Sequence, residues 1–246
     1  MYDYANLLFT GKKCNLRCYD CIGQHPELKG LPSNIDEFPP KNINSLIEQV
    51  NLHNIRDLAV TGTNTDPQLY MHEAELIQYI RSRLTKNTKL SLHTNGLLAL
   101  KKIDVFNSYD KASITFHSFN PEIYHKITGS DKQPDLRQII QESKIPIKLS
   151  MLITPYNIEE MDSYIKKTSE LGIKRVVIRK LEGKEDEYPL ERLEPFKNIN
   201  PIKYIYGWPV YNINGIEVTI CGFSNVQASV LYLFSDGRLS NRLKQK

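Results

Sequence analysis

The sequence predicts an α/β protein, a partial (βα)6 barrel with a small antiparallel β addition toward its C-terminal end. Three observations predict it. Short apolar runs that read as strands alternate with amphipathic helical runs six times between residues 5 and 181. Such alternation implies parallel βα units, because parallel neighbours need a crossover connection. Beyond residue 181 the period breaks, and Asn214-Gly215 and Asp236-Gly237 each separate two strand-like runs, a strong hairpin signal. Six units are fewer than the eight that close a barrel, so the sheet is expected to be open. A chain of 246 residues, 40% hydrophobic and 24% charged, builds such a core without cross-links.

The elements follow in order. Residues 5–10 (ANLLFT) form a short buried strand, and residues 42–52 a helix with Ile43, Leu46, Ile47 and Val50 on one face. A second strand at 56–62 stops at Gly62, and a helix over 71–84 aligns Leu76, Ile77, Ile80 and Leu84. The third strand, 89–96, ends in Asn95-Gly96 and is followed by a helical return over 97–106. Strand four is 111–117, a helix covers 134–143, and strand five is 146–154. A helix over 158–172 with a glycine stop leads into strand six at 174–181. The division expected is a core at 1–181, a charged surface linker at 182–207 and a hairpin extension at 208–246.

Composition narrows the function classes. A net charge of +4 is too mild to indicate nucleic acid. No run of eighteen apolar residues exists, so no membrane partner is expected. The first residues lack a basic region followed by an apolar one, which argues against a signal peptide and for the cytoplasm. There, clustered thiols serve metals or redox chemistry more often than structural bridges.

Three of the four cysteines, Cys14, Cys18 and Cys21, fall within eight residues after the first strand. This is the carboxyl end of the sheet, where α/β proteins place their sites. Three chemistries compete. A closed zinc site would use Cys14, Cys18, Cys21 and His25. A reactive thiol would make the neighbours incidental, but the interval in CNLRC is wrong for a thioredoxin-like pair. An iron–sulfur cube held by three thiolates would leave one iron open to a small chelating molecule. Residues 14–21 alone leave zinc and cluster both open.

The rest of the chain resembles the radical S-adenosylmethionine (SAM) superfamily, in its branch of cofactor-maturase and peptide-modifying enzymes related to molybdenum-cofactor synthesis. The resemblance rests on Cys-x3-Cys-x2-Cys, on HTNG at 93–96, on ITFHSFNPEIYHKITG at 114–129 and on MLITPYNIEEM at 151–161, which includes Asn157. It implies a partial barrel of the radical SAM type and a [4Fe–4S] cluster on Cys14, Cys18 and Cys21. It further implies that SAM chelates the fourth iron and is cleaved by one electron to a 5′-deoxyadenosyl radical. That radical abstracts hydrogen from a substrate. An external one-electron reductant, flavodoxin- or ferredoxin-like, is implied as partner.

The same resemblance assigns SAM contacts. TGTNTDP at 61–67 sits where the family has a Gly-Gly-Glu-Pro stretch; Gly62 is kept, with Thr63 and Asn64 in place of Gly-Glu. Asn95 belongs to the family's Thr-Asn-Gly. Thr115 and His117 stand where relatives have Ser and Asp; His117 is expected to titrate near neutrality. Ser150 and Arg179 match SAM-contacting positions, Arg179 as a fork for the carboxylate or, alternatively, as a surface ion pair with the acidic 182–187 run. Asp20 replaces the aromatic residue that relatives carry before the third cysteine, so adenine packing is expected either to shift to Tyr19 or to be lost. Cys221 is read either as a buried thiol or as a hydrogen-atom donor to a substrate radical.

The substrate expected is a peptide or natural-product precursor, admitted through a wide lateral mouth. Two alternatives stand beside it: an activase of a partner protein or a nucleotide-modifying enzyme, and a non-catalytic zinc- or cluster-binding module. Trp208, Tyr211, Tyr232 and Phe234 are expected to cover the mouth or to form ordinary hairpin core.

Overall fold

The computed structural model describes residues 2–85, 87–223 and 226–243. The strands are β1 (Tyr4–Phe9), β2 (Asp57–Gly62), β3 (Lys89–Thr94), β4 (Lys111–Thr115), β5 (Ile147–Leu152), β6 (Arg175–Arg179), β7 (Lys203–Ile205), β8 (Trp208–Ile213), β9 (Ile216–Cys221), β10 (Val230–Leu233) and β11 (Leu239–Ser240). The helices are α1 (Pro26–Lys29), α2 (Ile43–Leu52), α3 (Glu73–Arg81), α4 (Ile103–Phe106), α5 (Pro121–Thr128), α6 (Leu136–Glu142) and α7 (Met161–Glu170). All six expected strands form, and β1 to β6 lie side by side in sequence order and in parallel. The expected helix over 97–106 shortens to α4, because Gly96 turns the chain at φ +79 and further turns follow it.

Parallel strands covered by helices on both faces read as continuous apolar runs. These strands alternate instead. Leu58 and Val60, Leu90 and Leu92, Ala112 and Ile114, Leu149 and Met151, and Val176 and Ile178 are buried in the main core. The residues between them, such as Ser91, His93, Ser113, Thr115, Lys148 and Ser150, occupy the opposite face. Helices thus cover one face, while the other is polar and lines the interior of a partial barrel.

The two C-terminal hairpins form at the expected turns but join the main sheet, one at each margin. β9 pairs in parallel with β6, and β8 and β7 continue outward antiparallel. β10 pairs in parallel with β1 and carries β11 antiparallel. Eight parallel strands therefore run in the order β10-β1-β2-β3-β4-β5-β6-β9 within an eleven-stranded open sheet. The 182–207 stretch, read from sequence as surface linker, buries Leu190 and Phe196 completely or nearly so. Tyr211, packed on Phe196 at 5.2 Å, and Phe234 are core residues, whereas Trp208 and Tyr232 remain half-buried. Tyr206 lies between Tyr4 and Trp208, with ring centroids 5.8 and 6.3 Å away, and so draws the two margins of the sheet together. Residues 224–225 and 244–246 of the expected extension lie outside the described residues. No helix is long and apolar enough to cross a membrane among the described residues.

Candidate active site

The cysteine loop leaves β1 at Phe9 and is fastened mainly by its backbone. Thr10 N–H donates to Asn34 Oδ1 at 2.9 Å, and Gly11 N–H to Asn64 Oδ1 at 2.9 Å. Arg17 N–H and Tyr19 N–H donate to the carbonyls of Thr128 and Ile127, at 2.8 and 2.7 Å, on either side of Cys18. The C-terminal end of α5 thereby carries the loop. A side chain on Gly23 would strike Asn64, so the loop lies directly on the 61–67 turn.

Cys14, Cys18 and Cys21 line one cavity of about 630 Å³ at the carboxyl ends of the strands. Gly62, Thr63, Asn64, Asn95, Thr115, His117, Ser150 and Arg179 line the same cavity. Two expected residues do not. Tyr19 is 50% exposed and packs edge-on against Tyr156 at 5.5 Å, outside the cavity wall. Cys221 sits at the end of β9, in register with Arg179, and is not among the lining residues. Burial pushes its thiol up to about 11, so it stays protonated.

Thr63 and Asn64 spend their side chains on structure. Thr63 Oγ1 hydrogen-bonds the Thr10 hydroxyl at 3.0 Å and donates to the Phe9 carbonyl at 3.2 Å. Sequence reading overlooked Asp66, which the TGTNTDP stretch offers as an ordinary turn residue. It is buried, and its carboxylate accepts from Gln68 N–H at 2.9 Å, from the Thr94 hydroxyl at 2.9 Å and from Asn95 N–H at 2.7 Å. Burial pushes this carboxyl up, opposed by those donors. Asn95 Nδ2 then donates to Asn15 Oδ1 at 2.7 Å, which also accepts from Cys14 Sγ at 3.4 Å. A buried carboxylate thus ties the ends of β2 and β3 to the first cysteine. Asn157, fully buried, does the same for β4 and β5: its amide donates to the carbonyls of His117 and Leu152 at 3.0 Å each.

His117 differs from expectation. It is 4% exposed, and burial pushes its imidazole down to about 4, so it is neutral across the physiological range. Its Nδ1 accepts from Leu152 N–H at 3.3 Å, which places the remaining proton on Nε2. The folded chain therefore binds fewer protons than the unfolded chain between about pH 4 and 6.5. Stability falls as pH drops through that window, by about 2–4 kcal/mol from this group alone. Urea unfolding at pH 7 and pH 4.5 should show a smaller loss for His117→Asn, which keeps an acceptor near Nδ1 but does not titrate. An equal loss in both proteins would remove His117 from the account. Arg179 forms no ion pair with the acidic 182–187 run, or with any carboxylate, among the described residues.

A family model for the radical SAM superfamily matches residues 8–178. This chain belongs to the radical SAM superfamily. Curated relatives agree: the chain is 26% identical over 202 residues to a protein named "Probable GTP 3′,8-cyclase" from Sulfurisphaera tokodaii, covering 76% of this chain and 60% of that one. It is 29% identical over 183 residues to the GTP 3′,8-cyclase of Limosilactobacillus fermentum, covering 69% of this chain and 52% of that one. The chain thus spans about half to three-fifths of the length of these relatives. Among solved structures, Streptococcus suis SuiB bound to SAM superposes with a TM-score of 0.64 at 11% identity, over 98% of this chain and 60% of SuiB. That likeness is one of fold.

The radical SAM superfamily is one of enzymes whose cofactors are a [4Fe–4S] cluster and SAM. The cysteine loop fits a cluster. Burial, together with the neighbouring thiols, pushes Cys18 up to about 12, and burial pushes Cys14 up to about 11. Such thiols are poor nucleophiles without a metal, and binding a metal is what deprotonates them. No three His, Cys, Asp or Glu side chains among the described residues meet closely enough to hold a single ion. His25 lines the same cavity with a buried Nδ1 that has no hydrogen-bond partner among the described residues.

Proposed function

We propose that this radical SAM enzyme binds SAM in the cavity above the polar face of the sheet and acts on a peptide or natural-product precursor. One observation carries the reading: the three cysteines, the 61–67 turn and the ends of β3 to β6 all line one cavity. Cys14, Cys18 and Cys21 would hold the cluster. When bound, cluster and SAM together supply a 5′-deoxyadenosyl radical that takes a hydrogen atom from the substrate. The chain's own share is placement and exclusion of water. The main chain of the 61–67 turn faces the methionyl end, with its shape fixed by Asp66. Ser150 and Thr115 offer hydroxyls, and neutral His117 offers an Nε2–H donor. Arg179 offers a fork to the carboxylate. An external one-electron reductant is required as partner.

A second reading, modification of a nucleotide, is favoured by the relatives named GTP 3′,8-cyclase. Electron paramagnetic resonance of the anaerobically reconstituted, reduced protein tests what both readings share. The expected result is a cluster signal that shifts on addition of SAM, with slow release of 5′-deoxyadenosine. A signal indifferent to SAM would defeat the assignment of the cavity.

A further inference from the structure

The cysteine loop has two sides, and the cofactor reading uses one of them. Cys14, Leu16, Cys18 and Asp20 alternate along the loop and line the cavity, as does Cys21. Arg17 and Tyr19, which fall between them, are exposed and form no part of the cavity wall. The same holds for Lys12 and Lys13, just before Cys14. Lys126 is exposed in the last turn of α5, beside the carbonyls that receive the Arg17 and Tyr19 N–H groups.

None of these four cations, Lys12, Lys13, Arg17 and Lys126, forms an ion pair among the described residues. Of the carboxylates near them in sequence, Asp20 lines the cavity and Asp131 pairs with His125 at 2.8 Å. Glu122, one turn before Lys126, is not paired with it. A cation at a helix C-terminus complements the helix dipole, which accounts for Lys126 alone. It does not account for the three cations on the loop.

An apolar centre adjoins this charge. Tyr19 is 50% exposed and Tyr156 42% exposed, and their rings meet edge-on at 5.5 Å. Tyr156 follows β5, so two separate elements bring aromatic rings to one place on the surface. Neither ring belongs to the core or to the cavity wall. Aromatic residues with a charged rim are the make-up of surfaces that bind other proteins.

Position and charge decide the partner. The molecule that gives up a hydrogen atom must enter the cavity, and this surface lies on the loop's other side. The electron has no such constraint; it must reach the thiolate-bearing loop from a carrier outside. A surface of unpaired cations selects a carrier of negative charge. We infer that the outer side of the cysteine loop is the docking surface for an acidic one-electron carrier protein. Tyr19 and Tyr156 hold the carrier, and Lys12, Lys13, Arg17 and Lys126 steer its approach. The cluster gains the one electron that the carrier loses, and no bond forms or breaks. This rests on the three cysteines holding the cluster.

Anaerobic stopped-flow mixing of the cluster-loaded protein with reduced flavodoxin, and separately with reduced ferredoxin, tests it. Both probes are acidic, and bleaching of the cluster absorbance follows the transfer. Calorimetric titration with the oxidised carrier gives binding independently of turnover. At least one carrier reduces the cluster. Lys12→Glu combined with Lys126→Glu slows that reduction about tenfold or more at low salt, and the gap closes as salt rises. Tyr156→Ala weakens carrier binding about fivefold or more at either ionic strength, the truncation of an aromatic anchor. Lys144→Glu, exposed just before β5 at the opposite end of the sheet, changes neither. Dithionite, too small to need a docking surface, reduces the wild type and every variant alike. Should the double variant lose iron, Tyr156→Ala, outside the loop, decides alone. Reduction by dithionite but by neither carrier, an unchanged rate in the double variant with its cluster intact, unchanged binding in Tyr156→Ala, or an equal loss in Lys144→Glu overturns the surface. A wild-type protein with no cluster that dithionite can reduce would instead defeat the cluster reading beneath it, so the two failures are told apart.

Discussion

Cys18→Ala yields a folded protein that takes up little iron and releases no measurable 5′-deoxyadenosine. The reason lies in how the loop is held. Arg17 N–H and Tyr19 N–H bond to the end of α5 on either side of Cys18, and Gly129 closes that helix in the left-handed conformation at φ +64. A side chain on Gly129 would press against Arg17, so helix end and loop are packed in contact. Removing one sulfur leaves these bonds in place, and unfolding of the metal-free protein should move by less than about 1 kcal/mol. A cluster held by three thiolates has no spare ligand to lose, so turnover should drop by about three orders of magnitude or more. Iron analysis and anaerobic product assays check this beside the thermal midpoint. Full iron content with normal turnover would exclude Cys18 as a ligand; a collapsed apo-protein would show that the thiol, and not the backbone, organises the loop.

Gly62→Ala is the more damaging change to the fold, although it adds one carbon. A Cβ there would sit 1.8 Å from the Thr65 carbonyl oxygen and 2.8 Å from its carbonyl carbon, with no flexible group to give way. The 63–66 turn must open, and Asp66 then loses its grip on Gln68, Thr94 and Asn95. We expect a loss of about 2–4 kcal/mol in urea unfolding and a SAM affinity at least about tenfold weaker. Asn64→Ala, two residues on, removes only the bond to Gly11 N–H and should cost about 1–2 kcal/mol. If the two variants behave alike, close packing at Gly62 is not what shapes the turn.

The βα order was legible because each strand is a short apolar run and each helix keeps its stripe. The cysteine loop was legible because thiols at that spacing have few uses. Other features were hidden for physical reasons. An Asn-Gly hairpin has the same pattern whether it stands apart or adds to a larger sheet, so the parallel pairing of β9 with β6 and β10 with β1 left no local trace. Asp66 has the composition of a solvated turn; only its enclosure by three donors reveals a buried brace. His117 looked like a neutral-pH switch because burial, which keeps it uncharged, is a property of the assembled fold. Lys148 lies in a run, PIKLSMLIT, whose apolar members mark the strand and draw attention from the one charged residue facing inward.

The flanking of β1 by β10 has a consequence for how the chain is made. Asp3 N–H bonds to the Ser229 carbonyl at 2.8 Å, and Ser229 N–H to Asp3 Oδ2 at 2.7 Å, joining residues more than two hundred positions apart. During synthesis the first strand emerges early and keeps one side unpaired until Val230–Leu233 has left the ribosome. β6 likewise waits for β9. Contacts this distant along the chain slow folding, and unpaired strand edges invite association with other chains. The three thiols at the end of β1 are thus borne on a half-paired strand until Val230–Leu233 has been made, so the order of events favours metal loading after β10 has paired with β1.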